Sequence, residues 1–179
     1  MLTKDFYDMV ENGVKRSSDN WGTGIILQHP TTGKILLAKR TDTGQYATPG
    51  GKVEYKESPK EGIIRECKEE SNVDIKDMIV YGNNLHTAPN GKNWVDFLFY
   101  SNSFDDSNIK NQETEMEPFG WFSLEDALNL NLFPPSRVGL EIAIHEGIVN
   151  QTSDPSSNYV KYVNAPTSAL SIMDSPPCQ

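Results

Sequence analysis

The chain has 179 residues, 36% hydrophobic and 23% charged, the size and balance of one ordinary globular domain with a modest extra segment rather than two packed domains. Its formal net charge of −9 argues against a general nucleic-acid coat or an anionic membrane as partner, since affinity for phosphate backbones depends on clustered Lys and Arg. No apolar run is long enough to cross a bilayer, Met1 to Gly13 mixes acids and bases without a signal pattern, and Cys67 and Cys178 make no disulfide framework, so a soluble cytoplasmic protein is expected.

Residues 1–20 are polar, with a short amphipathic turn through Phe6, Met9 and Val10, and read as an N-terminal extension outside the core. From Gly22 an apolar run through Leu27, a turn at Pro30-Thr31-Thr32-Gly33 and a second run over Lys34–Ala38 predict a β-hairpin, closed by Lys39 and Arg40. Thr41-Asp42-Thr43-Gly44 supplies a polar loop. Thr48-Pro49-Gly50-Gly51 then leads to Ser58-Pro59-Lys60-Glu61, a capping box with Pro at the first helical position. The helix this starts should run from Pro59 to Ser71, where Asn72 tolerates the left-handed stop.

Asp77–Leu85 and Asn93–Tyr100 predict an antiparallel pair joined through Pro89-Asn90-Gly91, and Phe119–Phe122 one more short strand. Ser123-Leu124-Glu125-Asp126 marks a second helix start, and Pro134-Pro135-Ser136 precedes a third helical pattern carrying Val138, Ile142, Ile144 and His145. The core should end near Val149. Residues 150–179, rich in Ser, Pro and Asn, read as a polar tail or docking arm. The expected layout is an extension over 1–20, a main domain over 21–149 and a tail over 150–179, with strands and helices interleaved in an α/β layered domain around a mixed sheet.

Helical residues turn by about 100° each, which places Glu66, Glu69 and Glu70 on one stripe facing a common point. Ile63, Ile64 and Cys67 form an adjoining apolar stripe able to anchor the helix to a sheet. Carboxylates this close repel one another unless something positive lies between them. A hard divalent cation resolves that conflict: Mg²⁺ prefers oxygen ligands and is commonly shared between carboxylates and substrate phosphates.

Gly51, five residues, Glu57, seven residues, then Arg65-Glu66-Cys67-Lys68-Glu69-Glu70-Ser71-Asn72-Val73 resembles the signature of the Nudix hydrolases, with every charged position present. Two positions depart from it: Asn72 stands where the signature has glycine, and Cys67 fills an apolar place. Asn can still make the left-handed stop, and a free Cys packs as a small hydrophobe. Arg40, Pro49-Gly50-Gly51, Phe119 to Leu124 and Phe133-Pro134-Pro135 extend the likeness to a MutT-like Nudix domain over about residues 20–149.

The resemblance implies an α/β/α sandwich and a pyrophosphohydrolase that uses Mg²⁺, or Mn²⁺ in its place, to cut a diphosphate linkage in a nucleotide-type substrate. By position, Glu69 and Glu70 would bind metal, the main-chain carbonyl of Gly50 would complete that shell, and Glu66 would bind metal or help activate water. Glu57 would be a supporting outer acid and Arg65 would orient the carboxylates. Glu115 or Glu117 would supply a further ligand or base, although Glu113, Glu115 and Glu117 fit equally well the solvent face of an edge strand; Asp96 is a weaker candidate.

His29, His86 and His145 are scattered and read as ordinary surface or core histidines. Arg137 occupies the place of the base-reading asparagine of MutT-type members, which argues against a role on oxidised guanine. Pro89 lies near a marker proline of ADP-ribose-cleaving relatives, but a turn explains it. Tyr46, Trp94 or Trp121 could stack a base, with burial the simpler role for Trp94 and Trp121. The leading reading is a nucleoside triphosphate or diphosphate pyrophosphohydrolase. The alternatives are an ADP-ribose, sugar or dinucleoside polyphosphate pyrophosphatase, or a silent nucleotide-sensing module. Oligomeric state stays open.

Overall fold

In a computed structural model of the chain, which describes residues 2–88, 90–110 and 114–149, a first helix, α1 (Lys4–Asn12), starts on a cap in which the Thr3 side chain accepts from the Phe6 N–H. Strand β1 (Trp21–Leu27) follows, then β2 (Ile35–Lys39), β3 (Tyr46–Ala47), β4 (Gly50–Lys52), helix α2 (Pro59–Ser71), and the long strands β5 (Asp74–Thr87) and β6 (Asn93–Asp105). Strand β7 (Gly120–Phe122) and helices α3 (Leu124–Asn129) and α4 (Pro134–His145) complete the chain order. Tail residues 150–179, Cys178, Pro89 and Glu113 lie outside the described residues.

The four-stranded sheet has the order β4-β1-β6-β5, with β1 and β6 parallel and the outer pairs antiparallel; a three-stranded sheet, β3-β2-β7, stands beside it. The mixed sheet is as expected, but the hairpin is not. His29 and Lys34 close the turn, Gly33 taking the positive φ of 67° that it needs, yet a single bridge, Gln28 to Ile35, is all that pairs the two arms as strands. Beyond it β1 joins β4 and β6 while β2 joins β3 and β7. Both arms are buried on both sides and need partners over their whole length, which a two-stranded ribbon could not supply.

Side-chain alternation along the central strands divides the core in two. Ile25, Leu27, Phe97 and Phe99 pack with Ile63 and Cys67 of α2, whereas Ile26 and Tyr100 pack on the opposite face with Leu140 and Ala143 of α4. Helices therefore cover both faces of the sheet, the α/β/α sandwich. The Tyr81 hydroxyl donates to the Gly139 carbonyl at 3.0 Å and ties β5 to α4; burial pushes that phenol well above its ordinary range. Among the described residues no helix is long and apolar enough to cross a membrane.

Helix α2 forms as its local signals dictate. The Ser58 hydroxyl accepts from the Glu61 N–H while the Glu61 carboxylate accepts from the Ser58 N–H, and Asn72 closes the helix at φ 57°. Its buried stripe runs through Gly62, Ile63, Cys67 and Glu70, so Ile64, one residue off that line, is 44% exposed instead of anchoring the helix. Burial also pushes the Cys67 thiol well above its usual range, leaving it an inert packing group.

The expectation that residues 1–20 lie outside the core is overturned. Val10 is 1% exposed, and Phe6 and Met9 pack against the same cluster, with the Phe6 ring 6.0 Å from that of Phe97. Lys60 of α2 reaches Glu11 at 2.6 Å, and Lys15 pairs by main chain with Glu57 and Lys56 in the loop before α2. A nine-residue helix is marginal alone and takes its stability from burying such a face. Val10→Ala should lower unfolding free energy by about 2 kcal/mol, the transfer term plus a small cavity, in urea denaturation. A change below a few tenths would mean that α1 does not dock in solution.

Candidate active site

The acidic centre is assembled where α2 lies against β4, and two glycines let β4 fit between α2 and β1. A Cβ on Gly51 would collide with the Glu66 carboxylate, and one on Gly50, whose φ is 151°, would collide with the main chain of Thr23 and Gly24. Glu66 thus stands over Gly51, while Glu70 accepts from the Gly50 N–H at 2.9 Å. Glu70 is only 7% exposed.

Arg65 sits at the middle of the acids. Its Nε and Nη2 donate to the two Glu57 oxygens at 2.9 and 3.0 Å, its Nη1 to Glu66 at 3.0 Å and Glu69 at 2.9 Å, and Nη2 also to the Lys52 carbonyl at 2.9 Å. Burial pushes the Glu57 carboxyl up, but the Arg65 fork and the Glu54 N–H together hold it below the ordinary glutamate range. Arg65 itself is stabilised as a cation far above any accessible pH.

The three glutamates of α2 are thus held by different donors. Arg65 donates to Glu66 and Glu69 and the Gly50 N–H to Glu70, and among the described residues no three His, Cys, Asp or Glu side chains close into a ready cage. The donor chemistry still fits a hard divalent cation. Glu57, Glu66, Glu69 and Glu70 bring only carboxylate oxygens, the donor set a hard cation prefers, and Arg65 stands among three of them by direct hydrogen bonds. The glycines leave room for the Gly50 main chain beside Glu70.

Glu70 also lines a cavity of about 450 Å³ that opens between the sheet and α4. Its floor holds Gly22, Gly24, Asp96 and Leu98, its far wall His86 and Trp94, and its roof Phe133, Pro135, Ser136 and Gly139, with Arg40 at the side. The Arg40 guanidinium is 4.8 Å from the Phe133 ring centre and forks onto Asp42 at 2.9 and 2.7 Å. Ser136 accepts from the Thr48 N–H at 3.2 Å, joining α4 to the loop that carries Gly50.

The remaining candidates fall elsewhere. Glu115 and Glu117 are exposed on either side of buried Met116, which bridges Arg40, and neither lines the cavity; Glu117 pairs with Lys39 at 3.3 Å. Arg137 donates to the Leu130 carbonyl at 3.0 Å and is not among the cavity-lining residues. His29 accepts from the N–H groups of Thr31 and Thr32 in its turn, and exposed His145 stands beside Glu146. Tyr46 packs edge-on against Phe122, and Trp121 stacks on Phe104. Trp94 is half-buried and does line the cavity.

Sequence reasoning missed His86. Its Nδ1 stands 3.0 Å from Asp96 Oδ2 in the cavity, and burial pushes the Asp96 carboxyl up while His86 opposes the rise. The pair is diagonal across β5 and β6, where Asn84 faces Asp96 and His86 faces Trp94, so it could be found only from the strand register.

Residues 20–141 match the NUDIX domain family model. The uncharacterized Nudix hydrolase YvcI of Bacillus subtilis is 30% identical over 116 residues, covering 63% of this chain and 71% of that protein. The NAD-capped RNA hydrolase NudC of Pseudomonas putida is 31% identical over 112 residues, covering 62% of this chain but only 37% of NudC. A crystal structure of a MutT Nudix hydrolase from Burkholderia pseudomallei superposes with a TM-score of 0.61 at 28% identity, covering 70% of this chain and 98% of that one. The motif, the layered fold and these likenesses agree: the chain belongs to the Nudix family and is a MutT-like hydrolase acting on pyrophosphate bonds.

Proposed function

We propose that the protein is a Mg²⁺-dependent pyrophosphohydrolase that cleaves the diphosphate linkage of a nucleoside triphosphate or a related nucleoside diphosphate derivative. The observation that carries this reading is Glu70, a buried carboxylate shared between the acidic centre on α2 and the wall of a nucleotide-sized cavity. Glu69, Glu70 and the Gly50 carbonyl would hold the cation, with Glu66 as a further ligand or the group that takes a proton from the attacking water. Bound there, Mg²⁺ supplies charge neutralisation for the diphosphate and a more acidic water.

The chain's own groups divide the remaining work. Arg65, clamped by Glu57, keeps Glu66 and Glu69 aimed at one region and limits their mutual repulsion. The exposed Glu69 is the most easily recruited of the acids, since its tie to Arg65 is a half-solvated pair. Glu115 and Glu117 keep their place as candidates for an added base only if the segment carrying them moves toward the cavity on substrate binding. The likeness to NAD-capped RNA hydrolases adds dinucleotides such as NAD to the substrates worth testing. A sensor that binds without cutting has no use for mutually repelling acids beside its cavity.

Products should be separated chromatographically after incubation with nucleoside triphosphates, ADP-ribose, NAD and dinucleoside polyphosphates, with Mg²⁺ and with a chelator. Monophosphate release is expected only with Mg²⁺. Glu70→Gln should reduce turnover by more than about 100-fold, because even outer partners of a metal ligand are worth 10 to 100-fold. Near-normal turnover by a folded Glu70→Gln protein would remove the metal assignment.

Arg65→Lys should lower both turnover and stability, the latter by about 1–3 kcal/mol at neutral pH, since a lysine cannot reproduce the fork on the largely buried Glu57. Glu57 is held below its ordinary range in the folded state. Its contribution is therefore present above the unfolded glutamate pKa, about 4.3, and is lost as pH falls through the lower folded value. Urea midpoints of the two proteins should converge toward acid pH; a gap that stays constant below pH 4 or so would show that Arg65 acts by packing alone.

A further inference from the structure

The cavity ends, away from the acidic centre, on a carboxylate that the proposed hydrolysis does not use. Asp96 is 9% exposed in the floor of the cavity. His86 Nδ1 is 3.0 Å from Asp96 Oδ2 but out of line for a hydrogen bond, so that both atoms are buried without a hydrogen-bond partner among the described residues. Its other oxygen lies over Gly22, where a side chain would collide with it. A buried carboxylate whose close partner is one misaligned imidazole is still short of donors, and such a shortfall is retained where a ligand fills it.

Strand register places Asp96 at a meaningful distance from the acids. Gly22 pairs with Lys52 on one side and Asp96 on the other, and Gly24 pairs with Gly50, which donates to Glu70. From Gly50 to Asp96 is thus two strand spacings across and two residues along, about 12 Å. That is the reach of a nucleotide from its phosphates to its base. Half-buried Trp94, one turn of the pleat from Asp96 on the same face, and Phe133 in the roof give flat apolar surfaces for a ring.

We propose that Asp96, positioned by His86, reads the base of the substrate and selects guanine. This deepens the nucleotide-hydrolase reading and rests on it for the phosphate end. A carboxylate only accepts, and Asp96 accepts through both oxygens once a base draws Oδ2 out of its misaligned contact with His86. Guanine offers two adjacent N–H donors, at its ring nitrogen and its 2-amino group. Adenine and cytosine place a lone pair beside their amino group, and uracil flanks its single N–H with carbonyl oxygens; each would turn an acceptor toward an Asp96 oxygen.

Binding of the α,β-methylene diphosphates of guanosine, adenosine, cytidine, uridine and inosine, whose P–C–P bridge holds no anhydride to cut, should be measured calorimetrically with Mg²⁺. The guanosine compound is expected to bind at least about tenfold more tightly than the other common bases, and Asp96→Asn to erase that preference, with adenosine gaining relative to guanosine because an amide pairs with the donor and acceptor edge of adenine. A loss of fold could not produce such an exchange. Inosine, which lacks the 2-amino donor, should bind the unaltered protein several-fold more weakly than guanosine, and that comparison decides the matter if Asp96→Asn does not fold. A preference for another base, no binding of any of the five, equal binding of inosine and guanosine, or a guanosine preference that survives Asp96→Asn overturns the proposal. Guanosine preference without turnover of any nucleotide would instead overturn the hydrolysis reading and leave base selection standing.

Discussion

One guanidinium among four carboxylates is the constraint around which the site is built. Glu57, Glu66 and Glu69 all accept from Arg65, and Glu70 lies next along the helix. Left to themselves, like charges at helical spacing would splay the side chains into solvent. Arg65 holds them because its planar fork reaches Glu57 in the loop before the helix and Glu66 and Glu69 on the helix at once. The consequence runs into the backbone: the Glu66 carboxylate leaves no volume for a side chain at Gly51 and the β1 main chain leaves none at Gly50, so the glycines of β4 and the glutamates of α2 are one steric and electrostatic unit.

That unit was legible in the sequence because all its parts are local. The cap at Ser58, the stop at Asn72 and the spacing of Arg65 from Glu57 are set within a stretch shorter than two turns of loop and one helix, and the structure realises each of them. The orientation of the acids was less legible. Equal angular spacing gave Glu66, Glu69 and Glu70 a shared stripe, but which of them turns inward depends on the Gly50 N–H, a donor supplied from outside the helix. The same reason misassigned Ile64, since the buried stripe is centred by the sheet it meets.

Errors grew with distance along the chain. Two apolar runs either side of a tight turn read as a hairpin, yet the partners that bury β1 are β4 and β6, the latter arriving after residue 93. The N-terminal segment reads only as a short amphipathic turn outside the core because its nine helical residues carry few apolar side chains; its place in the core depends on Phe97, far along the sequence. His86 reads as an ordinary histidine and Asp96 as a weaker candidate, because their pairing exists only in the β5–β6 register.

This unevenness has a physical origin in how the two ends of the cavity are made. The acidic end is contributed by one loop and one helix, so a contiguous motif can carry it through sequence change, and an identity near 30% over the domain is enough to keep it recognisable. The far end is contributed by β1, β5, β6 and the start of α4, elements brought together by the whole fold. Neighbours there serve different ends, Arg137 turning to the Leu130 carbonyl while Ser136 stays in the cavity roof. A family defined by what it does to a diphosphate is therefore free to vary what it holds beside it. In this chain the freedom is taken up by a buried acid, and a buried acid must be answered by a donor.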